Sequence, residues 1–227
     1  RPPRSTLFPY TTLFRSVLNY GAEVWGFHKS PAIERVHLQF CKRLLGVKST
    51  TQNSFVYGEL GREPLEVRRI FVIIKYWLKI VHEMKGPYIV NCYQVLLNAN
   101  SKKENWASLV RNLLQRLGFG EAWMNQGVGN ITVFLYLVKQ RLTDNFIQSW
   151  RADLENSSRA RTYTSFKLNF GLSTYLINVH DCKHRKALTR LIASSHRLLI
   201  ETGRWNKPKT PHHLRICQIC NADVVQR

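Results

Sequence analysis

The segment Pro64–Lys85, PLEVRRIFVIIKYWLKIVHEMK, determines the fold class that the sequence predicts. Its apolar residues recur every three or four positions, a spacing that places them on one face of an α-helix. They are Leu65, Ile70, Ile73, Ile74, Trp77 and Ile80. Because Gly86 and Pro87 do not continue a helix, the predicted helix ends at about Lys85. We expect this long amphipathic helix to be a central packing element.

The same spacing continues on both sides of this segment and predicts a mainly α fold. Ser30-Pro31 is typical of a helix start, and apolar residues follow at helical spacing until Gly46. The stretch Ile131–Val138 is β-branched and aromatic enough to form a strand, and periodicity alone does not decide; the prediction adopted is a helix. Further helices are predicted at Tyr88–Leu97, Glu104–Leu117, Ile131–Leu154 and Lys183–Glu201.

Near the beginning of the chain, Tyr20, Val24 and Phe27 also follow one another at helical spacing. This pattern favours Tyr20 and Trp25 as core aromatic residues over a role in stacking on bases.

Charge is the most unusual property of the composition. The chain contains 34 Lys and Arg against 14 Asp and Glu, a formal net charge of +20. Solubility alone needs a net charge of only about 2 to 8, so a polyanionic partner is expected. The cations are interleaved with 6 Trp, 9 Tyr and 11 Phe, which can stack on bases. The composition therefore predicts binding to RNA and DNA, through the phosphate backbone of single strands, rather than to a membrane.

The candidate nucleic-acid-binding residues follow the predicted linker Asn156-Ser157-Ser158. Between residues 159 and 209 the only acidic residues are Asp181 and Glu201, whereas a solvated helix face usually alternates in sign. The candidate cations are Arg159, Arg161, Lys167, Lys183, Arg185, Lys186, Arg190, Arg197, Arg204, Lys207 and Lys209. Aromatic residues of the same stretch that could stack on unpaired bases are Tyr163, Phe166, Tyr175 and Trp205.

Cysteine usage and hydropathy indicate the compartment. The five cysteines are Cys41, Cys92, Cys182, Cys217 and Cys220, an odd number that does not form a disulfide framework. No apolar run approaches the roughly 20 residues of a membrane span, and no signal-peptide core is present. We expect an intracellular protein, in the nucleus or the cytoplasm.

The sequence contains no recognisable catalytic motif. Phosphoryl-transfer enzymes need clustered carboxylates to hold divalent metals, and here no two aspartates are adjacent. A P-loop, a Gly-x-Ser-x-Gly elbow and a His-Glu-x-x-His helix are also absent. The expectation is therefore that this chain is not an enzyme by itself.

Six stretches, in two groups near the ends of the chain, carry a resemblance to a known family. They are LNYGAEVWG (18–26), IERVHLQFCKRLLGV (33–47), VYGELGREPL (56–65), Arg161–Tyr163, Phe166-Lys167 and HRLLIETGRW (196–205). The first three are similar to the region that follows the catalytic palm in LINE-type (non-LTR) retrotransposon reverse transcriptases, and the last three resemble the C-terminal region of that family. The resemblance covers nearly all of Val17–Asn221 and is looser between about Pro87 and Ser158.

The resemblance implies a helical, thumb-like bundle followed by a basic helical C-terminal segment, both of which grip RNA and DNA in the parent enzyme. The parent activity is RNA-directed DNA polymerisation. Its Tyr-x-Asp-Asp metal site does not occur in this sequence and would lie upstream of Val17. The chain is therefore expected to be a non-catalytic, nucleic-acid-binding C-terminal fragment. The alternatives are an enzyme of an unrecognised class and a domesticated protein-interaction module.

Residues 1–16, RPPRSTLFPYTTLFRS, resemble the conceptual translation of a common short-read sequencing adapter over their whole length. Such segments are excluded from fold reasoning, and we expect a disordered artefact that does not pack on the core. The segment carries three arginines and no acidic residue, so without it the formal net charge falls from +20 to +17. The remaining charge is still well above what solubility alone needs.

Cys217 and Cys220 have the Cys-x-x-Cys spacing of half a structural zinc site, which needs four ligands. The resemblance implies a zinc knuckle completed by a downstream His and Cys, but neither residue type follows Cys220. We expect no cofactor in this chain and zinc binding only if the downstream ligands are restored. The predicted regions are then 1–16 (artefact), 17–155 (thumb-like), 156–211 (basic helical) and 212–227 (truncated half of the knuckle).

Overall fold

The computed structural model describes residues 16–83, 86–99, 104–157 and 160–215. Within these ranges the protein is mainly helical and has no β-strand, which confirms the predicted fold class; one isolated antiparallel bridge joins Leu60 to Leu172. The helices are α1 Ala22–Trp25, α2 Pro31–Leu45, α3 Asn53–Leu60, α4 Leu65–His82, α5 Pro87–Asn98, α6 Trp106–Arg116, α7 Gly120–Met124, α8 Ile131–Glu155, α9 Arg161–Phe166, α10 Tyr175–Asn178, α11 Cys182–Ile192 and α12 Leu199–Thr202, with a 3-10 turn at His212–Leu214.

Most of the predicted helices are confirmed. The helix predicted over 64–85 is α4, with Pro64 at its N-cap position. The ambiguous stretch Ile131–Val138 is helical, as the first part of α8, so the strand alternative is wrong. Residues 207–211 include Pro208 and Pro211 and are not helical.

The single helix predicted over Lys183–Glu201 is wrong, because the chain leaves the helical path after Ile192. Ser194 adopts the left-handed conformation, with φ 49°. The amide of Ser195 then donates to the carbonyl of Arg190 at 2.7 Å, a bond that closes the helix end. A glycine usually occupies such a position, so the apolar spacing gave no sign of the break.

The contacts between residues divide the chain into two compact units. Unit 1 lies within 1–37 and 63–151, and unit 2 lies within 38–62 and 152–227. Helices α2 and α8 each contribute residues to both units. A boundary between the regions 17–155 and 156–211 was predicted from the linker Asn156-Ser157-Ser158, whereas the two units alternate along the sequence.

Unit 1 is built around α4. Ile73, Ile74 and Trp77 of this helix are fully buried and pack with apolar residues of α5, α6, α7 and α8. The indole N–H of Trp77 donates to the hydroxyl of Tyr93 at 2.9 Å, and that hydroxyl donates to Oε1 of Gln126 at 2.6 Å. The core of unit 1 is therefore rich in aromatic residues whose polar atoms are satisfied internally.

The expectation that Tyr20 and Trp25 are core residues is wrong. Tyr20 is 87% exposed and Trp25 is 41% exposed. Gly21 adopts φ 66° directly before α1, so Tyr20 and Val24 do not lie on one continuous helix. Only Ala22 of α1 is buried, and the Trp25 ring lies on the surface with the guanidinium of Arg69 5.7 Å from its centre.

Unit 2 has a smaller apolar cluster. Leu38, Cys41 and Leu45 of α2 pack against Val56 and Leu60 of α3 and a few residues near α10. Buried polar contacts accompany this cluster, and they position the candidate site.

Candidate nucleic-acid interface

The end of α2 is the first element that positions the site. Gly46 has φ 69°, and the amide of Val47 donates to the carbonyl of Lys42 at 3.1 Å, the hydrogen bond that terminates many helices. A Cβ on Gly46 would lie 2.7 Å from Cγ of Lys186, so only glycine fits there. Nε of Arg190 donates to the carbonyl of Gly46 at 2.6 Å. Two predicted candidate cations of α11 thus contact the end of α2.

The loop 47–52 after this helix end forms one wall of a groove, and the turn 193–195 forms part of the other. The hydroxyl of Ser195, whose side chain is buried, joins the two walls. It accepts a hydrogen bond from the amide of Lys48 at 3.0 Å and one from the hydroxyl of Thr51 at 3.3 Å. Because both donors belong to the loop, Ser195 fixes the groove without a bound ligand.

The groove widens into a cavity of about 620 Å³. Its described lining residues include two cations and one exposed indole but no acid. They are Lys48, Thr50, Thr51, Gln52, Phe55, Ala193, Ser194, Ser195, Thr202, Arg204, Trp205 and Asn206. Phe55 is almost fully buried, whereas Trp205 is 61% exposed.

A second group of candidate cations continues from the cavity along the chain. Arg197, Lys207 and Lys209 are exposed, as are Arg204 in the cavity lining and Lys183 at the start of α11. Arg185 is half-buried and donates to the carbonyl of Val179 at 3.3 Å. Of the exposed candidate cations, four therefore lie in the segment 197–209.

Lys167 is a candidate cation whose side chain is held by hydrogen bonds within the protein. Its ammonium group donates to the carbonyl of Gly171 at 2.6 Å and to the hydroxyl of Ser173 at 2.8 Å. Burial lowers the pKa of Lys167, and the nearby carboxylate of Glu59 partly offsets this by raising it. The side chain thus holds the loop after α9 and is poorly placed to bind phosphate.

Glu59 is the buried carboxylate at the centre of this network, with a relative exposure of 1%. The hydroxyl of Tyr175 donates to Oε2 of Glu59 at 2.5 Å and lies 3.0 Å from Oγ1 of Thr189. Burial and the adjacent Glu59 raise the pKa of Tyr175, and the same two causes raise the pKa of Tyr163. The network is structural and lies beneath the surface.

The four aromatic residues that the sequence offered as stacking platforms fall into two groups. Tyr163 is fully buried and stacks on Phe55 with ring centroids 4.4 Å apart, so it cannot contact a base in this structure. Tyr175 is half-buried against Glu59. Phe166 and Trp205 are 65% and 61% exposed, and only Trp205 lines the cavity.

Some of the predicted site residues lie outside the described residues. Arg159, Cys217 and Cys220 are among them, as are residues 1–15 of the adapter-like segment, whereas Ser16 is helical. Arg161 begins α9. In the described ranges no three His, Cys, Asp or Glu side chains come together in a way that could hold a metal ion.

Sequence reasoning missed the loop wall of the cavity. Residues 48–52, KSTTQ, form an uninterrupted polar run that begins two residues after the helix end at Gly46. Such a run after a helix end is a loop signal. Its distance along the chain from the basic stretch concealed the fact that it faces Arg204 and Trp205.

No family model, curated protein or solved structure matches this chain. The residues, their charges and the cavity are therefore the basis for inferring a function. Among the described residues, every helix is too short or too polar to cross a lipid bilayer.

Proposed function

We propose that this chain is a non-catalytic part of a LINE-type reverse transcriptase and that unit 2 binds RNA and DNA through their phosphate backbone. The observation that carries the binding proposal is the cavity, whose described lining contains Lys48, Arg204 and the exposed Trp205 but no acid, and which is followed by the exposed Lys207 and Lys209. Proteins that bind single strands usually combine cations and exposed aromatic rings in one groove. The mainly helical fold agrees with the helical thumb that the resemblance implies.

The distribution of charge in unit 2 supports a polyanionic partner. Residues 160–215 contain eleven Lys and Arg but only Asp181 and Glu201 as acids. A surface with this imbalance attracts nucleic acid through many weak phosphate contacts, which give affinity without sequence preference.

Binding is tested by titrating the full chain with a fluorescently labelled single-stranded RNA or DNA at several salt concentrations. Affinity is expected to fall steeply as salt rises, because bound cations displace counterions from the strand. Absence of binding at low salt, or binding that is independent of salt, would refute the proposal.

The family assignment is tested by extending the genomic reading frame upstream of Val17. A contiguous palm with paired aspartates is the expected result. A start codon joined to an unrelated exon would instead favour a domesticated module.

A further inference from the structure

The cavity of unit 2 has the size and chemistry of a small-ligand site. Its volume of about 620 Å³ falls within the range of roughly 300 to 1,000 Å³ that is usual for such sites. Its described lining combines a planar aromatic ring, two cations and several neutral side chains that can form hydrogen bonds. This set suits a ligand with a flat heterocycle and a negatively charged group.

We propose that the cavity accepts one unpaired nucleotide of a single strand, with the base stacked on the indole of Trp205 and the flanking phosphates near Lys48 and Arg204. This inference rests on the proposed function and names the form of nucleic acid that the site selects. A paired base is stacked inside its duplex and cannot enter a cavity, whereas an unpaired base is free to do so.

The geometry around Trp205 favours a preformed site. Gly203 precedes the indole, and a Cβ there would lie 2.7 Å from the carbonyl of Leu199 and 3.1 Å from Cγ of Arg215. The amide of Thr210 donates to the carbonyl of Gly203 at 3.0 Å, and Nδ2 of Asn206 donates to the hydroxyl of Thr210 at 3.1 Å. These contacts fix the turn that carries the indole, so little ordering is needed when a base binds.

Ser195 makes the opposite wall of the cavity preformed as well. It holds the loop of Lys48 through two hydrogen bonds, and the neighbouring Ser194 keeps a left-handed backbone at the cavity surface. Strained conformations of this kind persist where the surrounding structure enforces them, and they are frequent at ligand sites.

The test compares two labelled strands that carry the same number of phosphates. One is an oligothymidylate of eight nucleotides, and the other is an abasic strand of the same length. Affinity is measured for the unsubstituted full chain and for the variants Trp205→Ala and Trp205→Phe. The control variant is Phe166→Ala, which removes a similarly exposed ring outside the cavity. Because both rings are exposed, neither substitution should prevent folding.

We expect Trp205→Ala to weaken binding of the thymidylate strand about tenfold, within the range that stacking of one base supplies, and to leave the abasic strand unaffected. Trp205→Phe should restore most of the loss, and Phe166→Ala should have no effect. Trp205→Ala should not change the affinity for a duplex of the thymidylate strand with a deoxyadenylate strand.

An equal loss on both strands in Trp205→Ala, or no loss on either, would overturn the nucleotide site while leaving backbone binding in place. Failure of the unsubstituted chain to bind either strand at low salt would overturn the proposed function as well. Trp205 is the only tryptophan of unit 2, so base stacking should also quench a fluorescence component that Trp205→Phe lacks.

Discussion

Unit 1 is held together by an apolar core, whereas unit 2 relies more on hydrogen bonds that join loops to helices. Among the described residues, the main cluster of unit 1 has seventeen buried apolar members and that of unit 2 has six. Unit 2 compensates with buried polar groups such as Glu59 and Ser195, which are satisfied only when particular partners meet. Hydrogen bonds of this kind can hold a loop in place beside a cavity, because leaving a buried polar group unpaired is costly.

The surfaces of the two units differ in the same direction. In unit 1 the exposed cations Lys139 and Arg141 are close in sequence to the exposed acid Asp144. In unit 2 the segment 197–209 has four exposed cations, and Glu201 is its single acid; the exposed acids Asp153, Glu155 and Asp181 lie elsewhere in the unit. The difference agrees with the proposal that unit 2, rather than unit 1, contacts nucleic acid.

The largest expected effect is on the core of unit 1. Trp77 is fully buried, stacks on Trp123 with centroids 6.0 Å apart and donates to Tyr93. We expect Trp77→Ala to lower the free energy of unfolding by about 3 to 5 kcal/mol, because it opens a large cavity in the core. Denaturant unfolding followed by circular dichroism measures this loss. The control Tyr136→Ala removes a ring that is 67% exposed and should change the free energy by less than about 0.5 kcal/mol. Equal losses would contradict the account of the core.

Alkaline pH should weaken unit 2 through its buried tyrosines. Burial and Glu59 raise the pKa of Tyr163 and of Tyr175 above the ordinary value of about 10. The folded state therefore retains protons that the unfolded state loses, so the stability is fully present below pH of about 10 and declines above it. The loss can reach about 1.4 kcal/mol per pH unit for each tyrosine. Tyr175→Phe should make the decline shallower.

Tyr93→Phe in unit 1 is the matched variant for this pH experiment. Burial also raises the pKa of Tyr93, but its hydrogen bonds with Trp77 and Gln126 lower it. The decline of stability above pH of about 10 should therefore change less with Tyr93→Phe than with Tyr175→Phe. A decline that neither substitution alters would show that other groups control alkaline unfolding.

A smaller effect is expected at the junction of the cavity walls. Ser195→Ala removes the acceptor for the Lys48 amide and for the Thr51 hydroxyl, and we expect a loss of about 1 kcal/mol of unfolding free energy. Ser49→Ala, an exposed position in the same loop, is the control and should be neutral. Unfolding by urea distinguishes the two, and a neutral Ser195→Ala would show that the wall does not depend on this hydroxyl.

The sequence predicted unit 1 better than unit 2, for a physical reason. Apolar spacing determines helices such as α4 and α8, whose faces are buried in one large core, and their bounds agree with prediction within a few residues. Apolar spacing does not indicate where a residue other than glycine adopts the left-handed conformation. Ser194 ends α11 in that conformation. Gln126, with φ 45°, closes the end of α7 in unit 1 in the same way.

The candidate site was predictable only in part. The density of cations between 159 and 209 located the basic segment, but charge alone did not separate Lys167, which binds a carbonyl, from the exposed Lys207. Lys48 is held at the cavity by a hydrogen bond from its amide to Ser195, which lies 147 positions further along the chain. No local sequence pattern indicates such a contact.

The central proposal, that unit 2 rather than unit 1 supplies the main contact with nucleic acid, is tested most directly by two double variants with equal loss of charge. Lys207→Ala/Lys209→Ala removes exposed cations of unit 2, and Lys139→Ala/Arg141→Ala removes exposed cations of unit 1. The affinity of each for a labelled single strand is measured across salt concentrations. The first variant should bind more weakly, with the slope of log affinity against log salt reduced by about 1.4, and the second should match the unsubstituted chain. An equal loss in both variants, or a larger loss in the variant of unit 1, would contradict the proposal.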